Sequence, residues 1–335
     1  MSWDIFGHEW AASLLQKHIQ TGKVRHAYLF SGPPGIGRRS LALRFAQALN
    51  CQAPRQPGIP CGACRTCTQI ARMQQADLTI LQSAEDARVI KVEQVREIQP
   101  TLSLAPYESN YRIALLLNFQ EATVSAQNAL LKTLEEAPPK VILLLTVDAI
   151  ENVLPTIASR CEILRLRALP LDSCGQILKD HWQISREMAQ ELSNLTGGKI
   201  GTALRYSGDV ELMEKLHQLV QDVFDLLNGS LGQRFAYAEQ ATDFKRKQNN
   251  RDMLLLTLQT WLSLWHDFFL CVSGSNYPLT FVNFTTLSQK AASQLGEQHI
   301  IEQILRLKRA TQQVDANLNS RLLLEEVLLG WKTLV

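Results

Sequence analysis

Residues 32–40, GPPGIGRRS, have the spacing of a phosphate-binding loop but lack the two side chains that such a loop uses for chemistry. In the working pattern, G-x-x-x-x-G-K-[ST], backbone amides cradle the phosphates, the lysine reaches the terminal ones and the hydroxyl binds Mg²⁺. Here Arg38 replaces the lysine, and Arg39 brings a positive charge instead of a metal-binding oxygen. The residues that this degenerate loop would offer a nucleotide are Gly32, Gly35, Gly37, Arg38, Arg39 and Ser40. The pattern indicates a nucleotide-hydrolase fold without hydrolysis.

A second catalytic element is missing from the strand predicted at 112–117. Hydrolases of this type end that strand with Asp-Glu, one carboxylate serving the Mg²⁺ and the other activating water. This strand ends in Leu117-Asn118, and Glu121 comes about a turn later, where we expect it to be solvated. We therefore expect no bound Mg²⁺ and no ATP turnover by this chain. Passive binding of ADP or ATP stays open, because the glycine backbone is kept and the guanidinium of Arg38 suits phosphate.

Four of the seven cysteines are close together in the sequence, at Cys51, Cys61, Cys64 and Cys67. Two overlapping C-x-x-C steps and a cysteine at the end of the preceding helix can converge on one tetrahedral Zn²⁺. Because all four positions would be filled by protein, such a zinc would be structural. The alternative is a set of reduced, unliganded thiols. The isolated cysteines, which we expect to be core residues, are Cys161, Cys174 and Cys271.

Strand and helix patterns alternate through the first half of the chain. The predicted strands are 26–32, Leu78–Leu81, Arg112–Leu117, Val141–Thr146 and Glu162–Leu166, and the predicted helices include Val92–Leu102 and Ser125–Glu136. Apolar runs without period-two alternation are typical of parallel strands covered on both faces, with the ligand site at their carboxyl ends. Thr146 then lies at a strand end, as a phosphate sensor or a plain hydrogen bonder. After about residue 169 the pattern is helical, with breaks near 196–201 and 273–278.

Composition excludes several classes of protein. The 335 residues predict two or three domains, and 46% apolar with 20% charged residues is ordinary globular usage. A net charge of +2 gives no strong electrostatic signature of a nucleic-acid binder acting alone. The apolar run Met253–Val272 contains Gln259, His266 and Asp267, so we expect a buried helix and no membrane span. The N-terminal residues do not resemble a signal peptide, and a cytoplasmic location is expected.

Several longer motifs together resemble the clamp-loader AAA+ proteins of bacterial replication. They are HAYLFSGPPGIG (26–37), the four cysteines, NALLKTLEEAPP (128–139), LPTIASRC (154–161), TWLSLWHDFFL (260–270) and DANLNSRLLLEEVLL (315–329). The resemblance implies an α/β, RecA-like AAA+ module with a parallel sheet at 1–168, carrying a zinc-binding insertion at 51–67. It also implies a small helical lid at 169–207 and an all-helical collar at 208–335 that joins five subunits in an open ring.

Departures from the family pattern imply a member that does not hydrolyse ATP. Motor members (γ/τ) keep the Lys-Thr loop, the Asp-Glu strand end and an arginine in the lid. In this chain Gly201 takes the place of that arginine. Members of the δ type generally lack the Ser-Arg-Cys motif and the cysteine cluster. The resemblance makes Ser159-Arg160-Cys161 the motif that presents Arg160 to a neighbour's ATP site as an arginine finger. The resemblance thus implies that this chain contributes to ATP hydrolysis only at the site of a neighbouring subunit. Periodicity alone favours a simpler role for Arg160, as a cap on the last turn of its helix, and only the Ser-Arg-Cys context favours the finger.

The implied partners are motor subunits (γ/τ) and δ in a five-membered ring, the sliding clamp, and primer–template DNA contacted through the assembly, within a DNA polymerase III holoenzyme. DNA contacts are expected from helix N-termini and from scattered basic groups that line the ring interior. One candidate helix start is at 124–128 with Ser125 as the cap, and an ordinary N-cap is the alternative there. Apolar residues at Leu322–Leu324 and 327–328 fit either collar packing between subunits or burial within the domain. Two alternatives stay open: an active motor that uses Arg38 with another carboxylate, and a zinc-stabilised DNA-binding module without a ring.

Overall fold

The computed structural model describes residues 3–83, 89–242, 250–314 and 319–334. Residues 315–318, which open the last resemblance motif, lie outside the described residues. The chain forms two compact units, one of Met1–Pro170 with Lys199–Thr202 and the other of Leu171–Gly198 with Ala203–Val335. The division into module, lid and collar stays a prediction.

A five-stranded parallel sheet forms the centre of the first unit, in the order β2-β3-β4-β1-β5. The strands are β1 (Ala27–Ser31), β2 (Leu78–Leu81), β3 (Arg112–Leu116), β4 (Val141–Val147) and β5 (Glu162–Arg165). Every residue of β1 and β4 is buried, which explains why their sequences are continuous apolar runs. The predicted α/β class and all five predicted strands are confirmed, with their ends shifted by one residue at most.

Helices cover both faces of this sheet. They are α1 (Glu9–Gln20), α2 (Arg38–Asn50), α3 (Arg65–Ala71), α4 (Val92–Leu102), α5 (Val124–Glu135) and α6 (Pro155–Ala158). Tyr28 and Phe30 of β1 pack in one core with Phe45, whereas Leu29 belongs to the other core, as strand alternation requires. The predicted cap of α5 is wrong: α5 begins one residue earlier, so Thr123 Oγ1 accepts the capping bond, from Ala126 N at 3.2 Å.

The second unit is helical. Its helices are α7 (Leu171–Trp182), α8 (Arg186–Thr196), α10 (Val210–Asn228), α11 (Leu231–Ala241), α12 (Asn250–Val272), α13 (Thr285–Leu295), α14 (Glu297–Gln313) and α15 (Ser320–Leu329), and α9 (Ile200–Ser207) begins in the first unit. Trp261 and Trp265 of α12 are fully buried, which confirms that this apolar run is a core helix. None of the described helices is both long enough and apolar enough to cross a membrane.

Burial within the second unit accounts for four of the five apolar residues of α15 at 322–324 and 327–328. Its four buried apolar residues are Leu323, Leu324, Val327 and Leu328. Leu322 differs from them, since 63% of it is exposed. Packing inside the unit therefore explains the run without a second subunit, except at Leu322.

Asp77, just before β2, holds the loop that leads into β3. Its carboxylate accepts backbone N–H bonds from Tyr107, Glu108 and Ser109 at 2.6, 2.9 and 3.0 Å, and pairs with Arg112 at 3.2 Å. Burial by itself raises the pKa of Asp77, but the three backbone donors outweigh it and the net shift is downward. The carboxylate thus fixes the entry to the strand whose far end borders the glycine loop.

Asp77→Asn is expected to destabilise the fold by about 3 kcal/mol at neutral pH, because Arg112 loses its anion and the backbone donors lose a charged acceptor. The folded-state pKa lies below the unfolded-state value of about 3.9, so the stabilisation is present above that value and is lost as the pH falls through the lower folded pKa. Urea unfolding at pH 7 and near pH 3 measures the difference, with exposed Glu93→Gln as the control. A difference that stays constant down to pH 3 would contradict this assignment.

Candidate functional site

The glycine loop joins β1 to α2 and keeps the backbone conformation of a phosphate cradle. Gly35 and Gly37 have φ values of 82° and 103°, a left-handed region that favours glycine. At Gly35 a side chain is also excluded by space, since a Cβ would lie 1.9 Å from Thr202 Oγ1. Helix α2 begins at Arg38 directly after the loop, so its first amide groups point toward the loop.

Arg38 is turned from the loop toward the end of β3. Only 8% of the residue is exposed, and its NH2 group donates to Asn118 Oδ1 at 3.2 Å. Its NH1 group is buried and has no hydrogen-bond partner among the described residues. Burial lowers the pKa of Arg38, against the opposing effect of the carboxylates of Asp148 and Glu121. The guanidinium therefore links the glycine loop, where active members carry the lysine, to the end of β3, where they carry the metal-binding acid.

The ends of β3 and β4 offer an amide and a hydroxyl group in place of carboxylates. Leu117 is buried in the core, and Asn118, at φ 48°, donates its backbone N–H to Thr146 Oγ1 at 2.9 Å. Thr146 thus acts as a strand-end hydrogen bonder. The prediction that Glu121 is solvated is wrong: it is half-buried and accepts a hydrogen bond from Ser83 Oγ. Its carboxylate is engaged at the 3-10 turn that follows the strand.

A cavity of about 450 Å³ lies between the loop and the ends of β3 and β4. It is lined by Gly35, Gly37, Arg38, Arg39, Ser40, Gln82, Leu117, Asn118, Thr146 and Gly201. Among these described residues none is acidic. The described lining of the cavity thus offers no carboxylate pair of the kind on which magnesium-dependent hydrolysis depends.

Residues 199–202 pack directly on the glycine loop, within the same unit. The N–H of Gly201 donates to the carbonyl of Gly35 at 2.8 Å, and a Cβ at position 201 would lie 2.7 Å from that oxygen. A side chain at this position would clash with main-chain atoms that cannot move aside. The close contact therefore requires glycine at the position where the family resemblance puts a nucleotide-contacting arginine in motor members.

Arg39, at the Ser/Thr position of the loop, contacts a residue outside it. Its NH2 group lies 3.2 Å from Met73 Sδ, beyond the end of α3, so the guanidinium points toward the cysteine-containing insertion. The residue also lines the cavity. Its contact with Met73 joins positions 34 residues apart.

The four cysteines converge on one point. Cys51 follows α2, Cys61 lies in the loop, Cys64 caps α3 and Cys67 lies within α3. All four Sγ atoms lie within 4.8 Å of one another, with Cys51 at 3.5 Å from Cys61 and 4.0 Å from Cys64. A tetrahedral zinc with Zn–S bonds of about 2.3 Å requires sulfur separations of about 3.8 Å. The cluster thus fits a tetrahedral metal site.

Backbone amides also prepare these sulfurs for metal. The N–H groups of Cys61, Cys64 and Cys67 donate to the sulfurs of Cys51, Cys61 and Cys64 at 3.2 to 3.4 Å. The bond from Cys64 N is the largest factor that lowers the pKa of Cys61 to about 6, so this ligand is a thiolate at neutral pH. Burial raises the pKa of Cys67, the ligand that most needs a cation to ionise.

Two side chains outside the insertion hold it in place. Gln47 of α2 donates to the carbonyl of Cys67 at 2.7 Å, and Trp3 Nε1 donates to the carbonyl of Gly58 at 2.8 Å. Both bonds are buried and join residues at least 20 positions apart. No local pattern in the sequence predicts them, since each partner is a backbone carbonyl.

The Ser-Arg-Cys motif joins α6 to β5. Cys161 is half-buried against the core, where burial raises its pKa to about 12, so it remains a thiol. Arg160 NH1 donates to the carbonyl of Thr156 at 2.9 Å, as the capping interpretation predicts. Its NH2 group pairs with Glu135 Oε1 at 2.6 Å, a partner that the sequence analysis missed. The lone cysteines Cys174 and Cys271 are buried and half-buried respectively.

Arg160 lies at the amino ends of the parallel strands, whereas the glycine loop lies at their carboxyl ends. It precedes β5, and Glu162 of β5 is in register with Tyr28 of β1, whereas Gly32 follows the far end of β1. With a rise of about 3.3 Å per strand residue, roughly 15 to 20 Å separate the two positions. An arginine side chain does not span that distance. Arg160 therefore cannot act on a nucleotide held by the loop of its own chain.

The strand order, the glycine loop after β1 and the polar residues that end β3 and β4 define a module of the AAA+ fold class. A family model described as "DNA polymerase III, delta subunit" matches residues 7–170. The chain belongs to the DNA polymerase III δ′ family, since a δ′ subunit of Pseudomonas aeruginosa is 30% identical over 98% of both chains.

Two further relatives match the chain over different lengths. The δ′ subunit of Bacillus subtilis is 27% identical over 94% of this chain and 93% of its own length. The DNA polymerase III subunit tau of Escherichia coli is 34% identical over 172 residues, which are 50% of this chain and 26% of tau. The likeness to δ′ subunits thus extends over nearly the whole chain, and the likeness to tau over half of it.

Proposed function

We propose that this chain is a clamp-loader subunit that does not hydrolyse ATP and that supplies Arg160 to the ATP site of a neighbouring motor subunit. In this way it helps to load the sliding clamp onto primed DNA in replication. The supporting observation is the position of Arg160, at the edge of the sheet opposite its own altered loop. An arginine in trans neutralises charge on the phosphoryl group in flight, and such a contact is worth about 10³–10⁵ in rate.

The altered pocket supports the first half of the proposal. Hydrolysis needs a positioned metal and a group that activates water, and both tasks fall to acids at the end of β3 in active members. Here Asn118 is bonded to Arg38, and the described lining of the cavity has no acid. The same observations disfavour the alternative in which this chain is itself a motor. The subunit thus acts on ATP only through its neighbour.

The proposed partners are motor subunits (γ/τ) and δ in a five-membered ring, with the clamp and primer–template DNA contacted through the assembly. The proposed organisation is an AAA+ module at 1–168, a lid at 169–207 and a collar at 208–335. The names of the δ′ and tau relatives support a place in a DNA polymerase III assembly. Structural Zn²⁺ is assigned to Cys51, Cys61, Cys64 and Cys67, and the subunit is assigned to the cytoplasm.

The isolated chain is expected to release no phosphate from ATP above the buffer blank, with Mg²⁺ and primed DNA present. Titration with labelled ADP or ATP is expected to show no saturation below about 1 mM, an affinity of about 4 kcal/mol. The reason is that Arg38 is already bonded to Asn118 and residues 199–202 are packed on the loop.

The same preparation, mixed with motor and δ subunits of its own organism, should enter a five-membered complex that size-exclusion chromatography with light scattering detects. That mixture is the control for correctly folded material. Magnesium-dependent turnover by the isolated chain at a motor-like rate would refute the proposed function. Failure to assemble with motor and δ subunits would favour the DNA-binding alternative, which salt-sensitive DNA affinity of the monomer would then support.

A further inference from the structure

We propose that Glu135 is a positioning residue that holds Arg160 in a resting position in the free subunit and releases it when the neighbour's phosphate arrives. The inference rests on the proposed function of Arg160. The ion pair joins Arg160 NH2 to Glu135 Oε1 at 2.6 Å, while NH1 is fixed to the carbonyl of Thr156 at 2.9 Å. Both terminal nitrogens of the guanidinium are thus engaged within the chain.

The topology brings Glu135 to Arg160 from a distant part of the chain. Glu135 is the last residue of α5, which returns to the starting end of β4, and Arg160 precedes β5 at the same edge of the sheet. A carboxylate at the C-terminus of a helix is disfavoured by the helix dipole. Its only ion-pair partner among the described residues is Arg160. Helix stability therefore does not explain this charge, whereas the contact with Arg160 does.

The negative charges of Glu135 and of the neighbour's phosphate allow one to replace the other as the partner of Arg160. The carboxylate and an incoming phosphoryl group are both anions, so they repel each other and compete for the same guanidinium. The Arg160 and Glu135 side chains are 35% and 51% exposed, and an ion pair at that exposure holds only weakly. Breaking the ion pair therefore costs little free energy compared with the free energy gained when Arg160 contacts the phosphoryl group that is being transferred. The pair can hold the resting side chain without blocking its function.

The test is Glu135→Gln in the full chain, reconstituted with motor and δ subunits, clamp and primed DNA. Glutamine keeps the shape and the acceptor oxygen but removes the competing charge. The ATP concentration for half-maximal turnover is expected to fall two- to fivefold, with the maximal rate changed less than twofold. The matched control is Glu136→Gln, which removes the adjacent exposed charge and should leave both quantities unchanged.

A double-mutant cycle separates this inference from the function on which it rests. If Arg160→Ala lowers turnover, Glu135→Gln should have no further effect on half-saturation in that background. The resting position is overturned if the ATP concentration for half-maximal turnover is unchanged or higher in Glu135→Gln while Arg160→Ala lowers turnover. That result leaves the arginine finger in place. Normal turnover in Arg160→Ala overturns the proposed function itself. Higher salt should shrink the effect of Glu135→Gln, since an exposed pair is screened.

Discussion

Arg160→Ala is expected to reduce ATP turnover at the adjoining motor site of the assembled loader by at least about 10³-fold, while the subunit still folds and assembles. The side chain is one-third exposed, and its bonds to Thr156 and Glu135 are at the surface, so its removal costs the free subunit little stability. Under the proposed function, its loss removes a cation from the neighbour's ATP site. The effect therefore appears only in the complex.

Single-turnover hydrolysis in the reconstituted complex, with clamp and primed DNA present, measures this loss at the adjoining site. Arg160→Lys keeps the charge but not the planar fork, and should recover only part of the rate. Arg186→Ala, which removes an exposed arginine from the second unit, is the matched control. Unchanged DNA-stimulated turnover in a complex that contains Arg160→Ala would leave the motif as a helix cap and nothing more.

Cys67→Ser is expected to abolish zinc binding and to unfold the insertion at 51–67 locally. Structural zinc sites contribute about 10 kcal/mol or more of apparent binding energy, and that energy is shared with the folding of the loop that holds the metal. Cys67 is fully buried within α3, and its sulfur is one of four within 4.8 Å of one another. Loss of one ligand leaves three thiolates around a buried gap.

Metal analysis of protein prepared with excess zinc should give one zinc per chain in the parent and none in Cys67→Ser. Hydrogen exchange should quicken in the insertion first, because its backbone bonds to sulfur depend on the cluster. Cys271→Ser, at a half-buried cysteine remote in sequence from the cluster, is the control and should keep its zinc. A parent chain without zinc under these conditions would favour the alternative of unliganded thiols.

Local patterns in the sequence were sufficient to predict much of the fold and of the candidate sites. The strands were predictable because continuous apolar runs between turn residues are characteristic of a parallel sheet covered on both faces. The cysteine cluster was predictable because its ligands lie within 17 residues, on a loop and one short helix. The missing lysine and carboxylates were readable because each belongs to a short motif tied to one strand end. In each case the decisive residues are neighbours along the chain.

Contacts between distant segments were decided by the tertiary structure alone. The pairing of Arg38 with Asn118 spans 80 positions, and that of Arg160 with Glu135 spans 25. The identity of these partners depends on which strand ends are adjacent in the sheet, and no periodicity encodes strand order. The misplaced cap at Ser125 has a different cause, since a shift of one residue in a helix start changes which side chain meets the free amides.

By itself, the sequence determined that the phosphate loop lacks its lysine and its magnesium ligands, and that four sulfurs can meet. Only the fold decided where the remaining charges point, because side-chain direction depends on neighbours supplied by other strands and helices. Arg38 turns inward to Asn118, Arg39 toward Met73, and Arg160 to the opposite edge of the sheet beside Glu135. The parallel order of β1 and β5 separates Arg160 from its own loop, which is the physical reason for the proposal that it acts on a neighbouring subunit.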